Sequence, residues 1–124
     1  MCGIVGVIHN DAYNVILDGL IMLQNRGYDS AGISIDSSGI LTEKIASTEE
    51  LDSIDYLKKK FLKGSLGIGH TRWATHGSKT TINSHPHVSV DGKVSLVHNG
   101  IIENYKGLKE IFNTDCISET DSEV

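Results

Sequence analysis

The chain opens with the sequence MCGIVGVI, residues 1–8, which contains the first predicted element of the fold. Its apolar run from Ile4 to Ile8 predicts a buried strand, because short runs rich in β-branched residues are typical of strands. A cysteine precedes the strand. If Met1 is removed, Cys2 carries both a thiol nucleophile and an α-amino group, which titrates near ~8 and can accept the thiol proton. The alternative is that Cys2 is a small buried residue at a strand start.

The next elements are predicted from apolar periodicity and turn residues. A helix is expected over residues 12–25, with Asn10 or Asp11 as its cap and Gly27 at its end. The apolar face of this helix is assigned to Val15, Ile16, Leu20 and Leu23. Residues 31–35 and 40–44 alternate between apolar and small or polar residues, and a turn at residues 37–39 joins them. This pattern predicts a β-hairpin.

The second half of the chain continues the mixture of helices and strands. Ser47 and Glu50 form a possible capping box for a helix whose apolar face runs from Leu51 to Phe61 and which Gly64 ends. Strands are expected over residues 66–70 and 94–98 and near Cys116 and Ile117, with a helix carrying Tyr105 to Phe112 between the last two. Residues 118–124 are expected to open a further helix. This order predicts an α+β sandwich with antiparallel strands rather than a doubly wound parallel sheet.

Length, charge and cysteine content exclude several classes of protein. A chain of 124 residues is expected to form at most one domain, and its net charge of −5 without a basic cluster argues against nucleic acid or an anionic membrane as a partner. No apolar run approaches the ~18 residues of a membrane span, and no signal peptide is evident, so we expect a cytoplasmic protein. Cys2 and Cys116 are expected to be reduced thiols rather than a disulfide framework.

Five motifs carry most of the polar residues that suggest chemistry. They are CGIVG at 2–6, NRGYDSAG at 25–32, GHTRWATHG at 69–77, NSHPH at 83–87 and VHNGIIEN at 97–104. In this order and spacing they resemble the class II glutamine amidotransferases. Within that family they are most similar to the glutaminase domains that serve fructose 6-phosphate as acceptor, and an amidophosphoribosyltransferase-type relative is the alternative. The resemblance covers residues 2–124.

The resemblance implies an N-terminal nucleophile (Ntn) hydrolase fold, an αββα sandwich of which residues 1–124 form the amino-terminal portion. It implies that removal of Met1 exposes Cys2, whose thiol attacks the side-chain amide of L-glutamine, releases ammonia and is freed as glutamate forms. Asn99 and Gly100 match the oxyanion hole, through a side-chain amide and a backbone N–H respectively. The family needs no metal or cofactor for this step.

The resemblance also implies a set of substrate-binding residues. Arg72 matches the residue that binds the α-carboxylate of glutamine, Asp121 the carboxylate that binds its α-amino group, and Trp73 the loop residue that covers the site. The complete set of matching substrate positions is Arg72, Trp73, Thr75, His76, His85 and Asp121.

Each of these residues also has an ordinary structural explanation. Arg72 could form a surface ion pair, Trp73 could lie in the core, and Asp121 could be a carboxylate in the first turn of a helix. The Asn-Gly pair at 99–100 is also a common hairpin turn. Five histidines between positions 70 and 98 raise two further alternatives, a zinc site and a Cys–His pair. Both are disfavoured, because the histidine spacing fits no compact ligand motif and the terminal amine already supplies a base.

The glutaminase domains of the resembled family are longer than this chain, and the full enzymes carry a further sugar isomerase half. We therefore expect the chain to be part of a larger enzyme whose sugar phosphate acceptor binds elsewhere. Further sequence, a completing chain or a homo-oligomer would supply the rest of the domain. The competing class is a module that binds glutamine or a partner without catalysis.

Overall fold

The structure is a computed structural model that describes residues 2–23, 29–73, 78–112 and 115–124. Its main sheet has four antiparallel strands, which are β1 (Gly3–Ile8), β2 (Ser30–Asp36), β3 (Ile40–Ala46) and β4 (Leu66–Arg72). They lie in the order β1-β4-β2-β3, so that β4 lies between β1 and β2 although it is the last of these four strands in the sequence. Because Gly3 pairs with Thr71, Cys2 lies beside the end of β4.

Two helices, α1 (Ala12–Leu23) and α2 (Ser53–Lys58), pack on one face of this sheet. The core between them and the strands includes Tyr13, Ile16, Leu20, Ile33, Ile35, Ile54 and Leu57. The helix predicted over residues 12–25 is confirmed as far as Leu23, and its predicted end at Gly27 lies outside the described residues. One part of its predicted apolar face is wrong, because Val15 is exposed whereas Tyr13 and Leu17 are buried.

The predicted hairpin is confirmed as β2 and β3, which pair from Ser30 with Ala46 to Asp36 with Ile40. Its turn places Ser38 at φ 58° and Gly39 at φ 138°. Positive φ angles are accessible to glycine at little cost, so a Ser-Gly turn suits this connection.

The predicted capping box of the second helix is wrong. Asp52 is the cap, and its carboxylate accepts hydrogen bonds from the backbone N–H groups of Ile54 and Asp55. Ser47 instead accepts a hydrogen bond from the Ser53 N–H. The aspartate directly before the first turn reaches two unpaired N–H groups at once, which is the usual role of an N-cap residue. The helix ends at Lys58, so Phe61 falls outside it and is exposed.

The remaining elements are short. Strands β5 (His87–Val88) and β6 (Ser95–Leu96) form a two-stranded ribbon, so the strand predicted over residues 94–98 is much shorter than expected. Helix α3 (Tyr105–Phe112) is confirmed and contributes no buried residue. Residues 121–123 form one 3₁₀ turn within the stretch that was expected to open a helix.

The strand predicted near residues 116–117 is not formed in the described part of the chain. The Glu123 carboxylate accepts hydrogen bonds from the backbone N–H groups of Ile117 and Ser118, at 2.9 and 2.6 Å. This local pairing occupies the N–H groups that a strand would present to a neighbour. The carboxylate thus folds this segment into a closed loop.

The second face of the sheet carries the polar residues. The prediction that β1 is buried is wrong, since its residues alternate and Ile4 and Ile8 are 43% and 83% exposed on this face. Residues 84–86 cross the same face over β2. The approach is so close that a Cβ on Gly32 would lie 2.2 Å from the carbonyl oxygen of His85. None of the described helices is long and apolar enough to cross a membrane.

Candidate active site

A cleft of about 680 Å³ opens on the polar face, where β1 begins and β4 ends. Its lining includes every predicted site residue that the structure describes, namely Cys2, Arg72, Trp73, His85, Asn99, Gly100 and Asp121. Thr75 and His76 lie outside the described residues. The antiparallel register explains this grouping, because it brings the start of β1 to the end of β4, 68 residues later in the chain.

Cys2 is partly exposed at this point and contacts the backbone of Trp73. The Trp73 N–H donates a hydrogen bond to Cys2 Sγ at 3.3 Å, and the same sulfur lies 3.7 Å from the Trp73 carbonyl oxygen. The thiolate is the nucleophilic form of cysteine, and an N–H donor directed at sulfur suits it. The thiol is therefore held at the mouth of the cleft rather than buried among apolar side chains.

Asn99 connects Cys2 to a buried histidine. Its Nδ2 donates to the Cys2 carbonyl oxygen at 3.0 Å, and its Oδ1 lies 2.9 Å from His70 Nε2. Burial lowers the pKa of His70 to about 4, so the ring is neutral at pH 7. We assigned no role to His70 from the sequence. Its spacing of two residues from Arg72 on β4 places both on one face of the sheet, and that alternation was the available signal.

Arg72 and Trp73 form one wall of the cleft. Arg72 is 8% exposed and its Nη1 donates to the Ser78 carbonyl oxygen at 3.3 Å, so this guanidinium lies in the cleft wall rather than on the open surface. Trp73 is 47% exposed, which excludes the alternative that it belongs to the core. A partly exposed indole beside a cleft can cover a bound ligand.

The Asn99-Gly100 pair does not form a hairpin turn, since α3 is the next element after β6. Gly100 comes close to a histidine ring, and a Cβ at this position would lie 2.7 Å from His98 Nε2. A larger residue would therefore displace His98, whose Nδ1 is paired with Ser122 Oγ at 3.0 Å.

The cleft is also lined by carboxylates, of which Asp121 and Glu119 accept hydrogen bonds from neighbouring residues. Asp121 Oδ2 accepts the Ile102 N–H at 2.6 Å, from the first turn of the 3₁₀ segment. Glu119, which the sequence reasoning missed, accepts hydrogen bonds from Ser78 Oγ and Asn83 Nδ2, and these bonds lower the pKa of Glu119. No local pattern indicated this role, because the partners are 41 and 36 residues away. One guanidinium and one carboxylate are the charges that a zwitterionic amino acid requires, and Arg72 and Asp121 supply such a pair.

Three buried histidines pack together beside the cleft, and two of them, His70 and His85, also line it. The His85 ring is stacked on His70 with centroids 4.3 Å apart, and His87 meets its other side edge-on at 4.5 Å. Burial lowers the pKa of all three rings, to about 4 for His87. Within the described ranges, no group of three or more His, Cys, Asp or Glu side chains is arranged to hold a metal ion. The rings pack against one another instead of converging on a point.

Comparison with known proteins gives sequence relatives along the whole chain. Glutamine–fructose-6-phosphate aminotransferases [isomerizing] from Caldanaerobacter subterraneus subsp. tengcongensis and Thermus thermophilus are each 48% identical over 128 residues, and that from Methanosarcina acetivorans is 52% identical over 134. Each alignment covers 100% of this chain and 21% of the relative. The chain thus spans about a fifth of the length of these proteins. No protein-family model matches it.

Solved structures give the same relationship. The chain superposes on the allosteric regulatory enzyme of purine biosynthesis with a TM-score of 0.70 and 30% identity, covering 96% of this chain and 26% of that one. The glutamine phosphoribosylpyrophosphate amidotransferase of B. subtilis, complexed with ADP and GMP, gives a TM-score of 0.64 and 31% identity, again covering 96% of this chain and 26% of that one. This chain is a relative of the class II glutamine amidotransferases.

As an amidotransferase relative, the chain has the expected α+β fold with an antiparallel sheet, and its structural neighbours are Ntn-type enzymes. Its identity to the fructose-6-phosphate aminotransferases, 48% to 52%, exceeds its identity to the two phosphoribosyl enzymes, 30% and 31%. The resemblance drawn from the five motifs is therefore confirmed.

Proposed function

We propose that this chain is the amino-terminal portion of the glutaminase domain of a glutamine–fructose-6-phosphate aminotransferase, and that L-glutamine is its substrate. The observation that carries the proposal is the contact between Asn99 and Cys2, in which the Asn99 side-chain amide donates to the backbone carbonyl oxygen of the residue that bears the thiol. A nucleophile with an adjacent N–H donor is the arrangement that acyl transfer requires.

The proposed reaction uses residues around this contact. After removal of Met1, the α-amine of Cys2 takes the thiol proton, and the sulfur attacks the side-chain amide carbon of glutamine. The Asn99 side chain and the Gly100 N–H stabilise the resulting oxyanion. The carbon–nitrogen bond then breaks, the ammonium of Cys2 returns the proton to the leaving ammonia, and a thioester remains. Water hydrolyses the thioester to glutamate and restores the thiol.

Substrate binding follows from the charges of the cleft. Arg72 would bind the α-carboxylate of glutamine, Asp121 its α-amino group, and Trp73 would cover the bound molecule. His85, Thr75 and His76 belong to the same proposed set. The ammonia would pass to a sugar phosphate bound by another part of the enzyme, or by a completing chain or second copy. Because the nucleophilic thiol must stay reduced, we place the reaction in the cytoplasm.

The second candidate is the glutaminase portion of an amidophosphoribosyltransferase, which the two structural neighbours favour. Both candidates use the same glutamine chemistry and differ in the acceptor. The higher sequence identity favours fructose 6-phosphate. A module that binds glutamine without turnover is the non-enzymatic candidate.

The test is the intact mass of the purified protein before and after incubation with an electrophilic glutamine analogue. We expect a protein without Met1 that gains one adduct. Cys116→Ala is the matched control, because it removes the other cysteine and should leave labelling unchanged, whereas Cys2→Ala should abolish it. Retention of Met1, or an adduct on Cys116 instead of Cys2, would refute the proposed chemistry.

A further inference from the structure

We infer that His70 is a positioning residue, which holds the Asn99 side-chain amide with its nitrogen directed at Cys2. This role deepens the proposed glutaminase function and depends on it for the kinetic consequence. The direction of the hydrogen bonds is independent of that function and can be measured separately.

The hydrogen bonds around Asn99 have one consistent direction. The Cys2 carbonyl oxygen can only accept, so the Asn99 atom 3.0 Å from it is the donor nitrogen. The amide oxygen therefore faces His70 at 2.9 Å and requires a donor there. A neutral imidazole has a single N–H, so the proton must lie on Nε2. His70 Nδ1, which is buried and has no partner among the described residues, is then a bare acceptor rather than a stranded donor.

The position of the His70 ring is itself determined by packing. His70 is 1% exposed on the central strand, where it pairs with Gly32 on one side and Ile4 on the other. The His85 ring stacks on it with an interplanar angle of 24°. The segment that carries His85 is attached to the sheet by Lys44, whose Nζ donates to the carbonyl oxygens of residues 84 and 86 at 2.7 and 3.0 Å. The ring cannot turn without disturbing this packed layer.

The rigid ring gives Asn99 a fixed orientation before substrate binds. The Nδ2 group carries two hydrogens, and the Cys2 carbonyl uses one of them, so the second can be directed at the amide oxygen of a bound substrate. Without His70 the amide could rotate and present its oxygen, which would repel an oxyanion. Since charge develops on the substrate oxygen during attack, the loss should appear in the rate of attack rather than in ground-state binding.

The kinetic test compares two replacements of His70 in the purified protein by their rate of labelling with the electrophilic glutamine analogue. His70→Leu removes the donor, and we expect the maximal labelling rate to fall about 10- to 100-fold while the half-saturating concentration changes by less than about twofold. His70→Gln places an amide N–H near the former Nε2 and should restore most of the rate. His9→Leu, at an exposed position outside the cleft, is the control and should label at the wild-type rate.

The structural test is nuclear magnetic resonance of the wild-type imidazole and amide groups. We expect the His70 ring to be the Nε2–H tautomer from pH 5.5 to 8, and the Asn99 side-chain resonances to shift in His70→Leu but not in His70→Gln. An Nδ1–H tautomer, or Asn99 side-chain resonances that do not shift in His70→Leu, would overturn the positioning role even if the protein proves inactive. If the wild type labels and His70→Leu labels equally fast, the positioning role fails while the proposed function stands. If the wild type does not label, the proposed function fails and the resonances alone decide the role of His70.

Discussion

Replacing Gly32 with alanine should destabilise the protein and slow the proposed chemistry together. Gly32 lies on β2 beneath the segment that crosses the polar face, and its new Cβ would meet three groups. These are the His85 carbonyl oxygen at 2.2 Å, Lys44 Cβ at 2.6 Å and Pro86 Cδ at 2.9 Å. None is the free end of a flexible side chain, so the crossing segment must move away from the sheet.

The movement of the crossing segment should lower the free energy of unfolding in two ways. Inserting one carbon into a packed layer costs about 1–3 kcal/mol, and contacts this short place the cost in the upper part of the range. The movement also lengthens the hydrogen bonds from Lys44 to the crossing segment, each worth about 1.5–3 kcal/mol because the donor is charged. We expect a loss of about 3 kcal/mol in the free energy of unfolding, or roughly 10 °C in Tm.

Urea denaturation of Gly32→Ala and of a matched glycine variant measures this loss. Gly107→Ala in α3 is the control, because nothing lies within 4 Å of its Cβ and alanine should stabilise the helix by about 0.5–1 kcal/mol. The labelling rate should fall in Gly32→Ala as His85 leaves its stacked position on His70. If Gly32→Ala unfolds at the same urea concentration as the wild type, residues 84–86 do not pack against β2 as described.

Three further changes to the cleft and to the histidine layer beside it should have measurable effects. Arg72→Lys should raise KM for glutamine about tenfold or more in a glutaminase assay, because a point charge cannot reproduce the two-pronged guanidinium contact, and an unchanged KM would remove Arg72 from substrate binding. The free energy of unfolding should be highest above pH 6.5 and should decrease as the pH falls towards 4. The reason is that the pKa of His70 and of His87 is lowered to about 4 in the folded state, so the unfolded chain takes up protons at a higher pH than the folded protein does. Equal urea midpoints at pH 7.5 and pH 5 would contradict this prediction. Lys44→Met should lower the free energy of unfolding by about 1–3 kcal/mol in the same denaturation assay, because the carbonyl groups of residues 84 and 86 lose their hydrogen-bond donor. A variant as stable as the wild type would show that these hydrogen bonds make no net contribution to stability.

Much of the fold was predictable because its determinants are local. The hairpin at 37–39, the first helix and the strand that ends at Arg72 all follow from periodicity and turn residues, and the structure has each of them. The wrong predictions occur where a hydrogen-bond partner that the sequence pattern did not indicate determines the local structure. Asp52 caps the second helix in place of Ser47, and the Glu123 carboxylate accepts hydrogen bonds from the N–H groups of Ile117 and Ser118, where a strand was predicted.

The candidate site was predictable as a set of residues but not as an arrangement. Its described members, which include Cys2, Arg72 and Asn99, do line one cleft. Their proposed roles remain predictions. Glu119 and His70 were missed, since each acquires its place through contacts 29 or more residues away in the chain.

The class of fold, most of the strands and helices, and the family resemblance follow from local sequence, because backbone preferences and the chemistry of short motifs are properties of neighbouring residues. Which side chains come into contact depends on the three-dimensional fold. The pairing of β1 with β4 brings Cys2 to the end of the central strand, and Asn99 then spans 97 residues of chain to contact it. Such hydrogen bonds depend on strand register and on the packing of the layer behind them, and neither is encoded within any single motif.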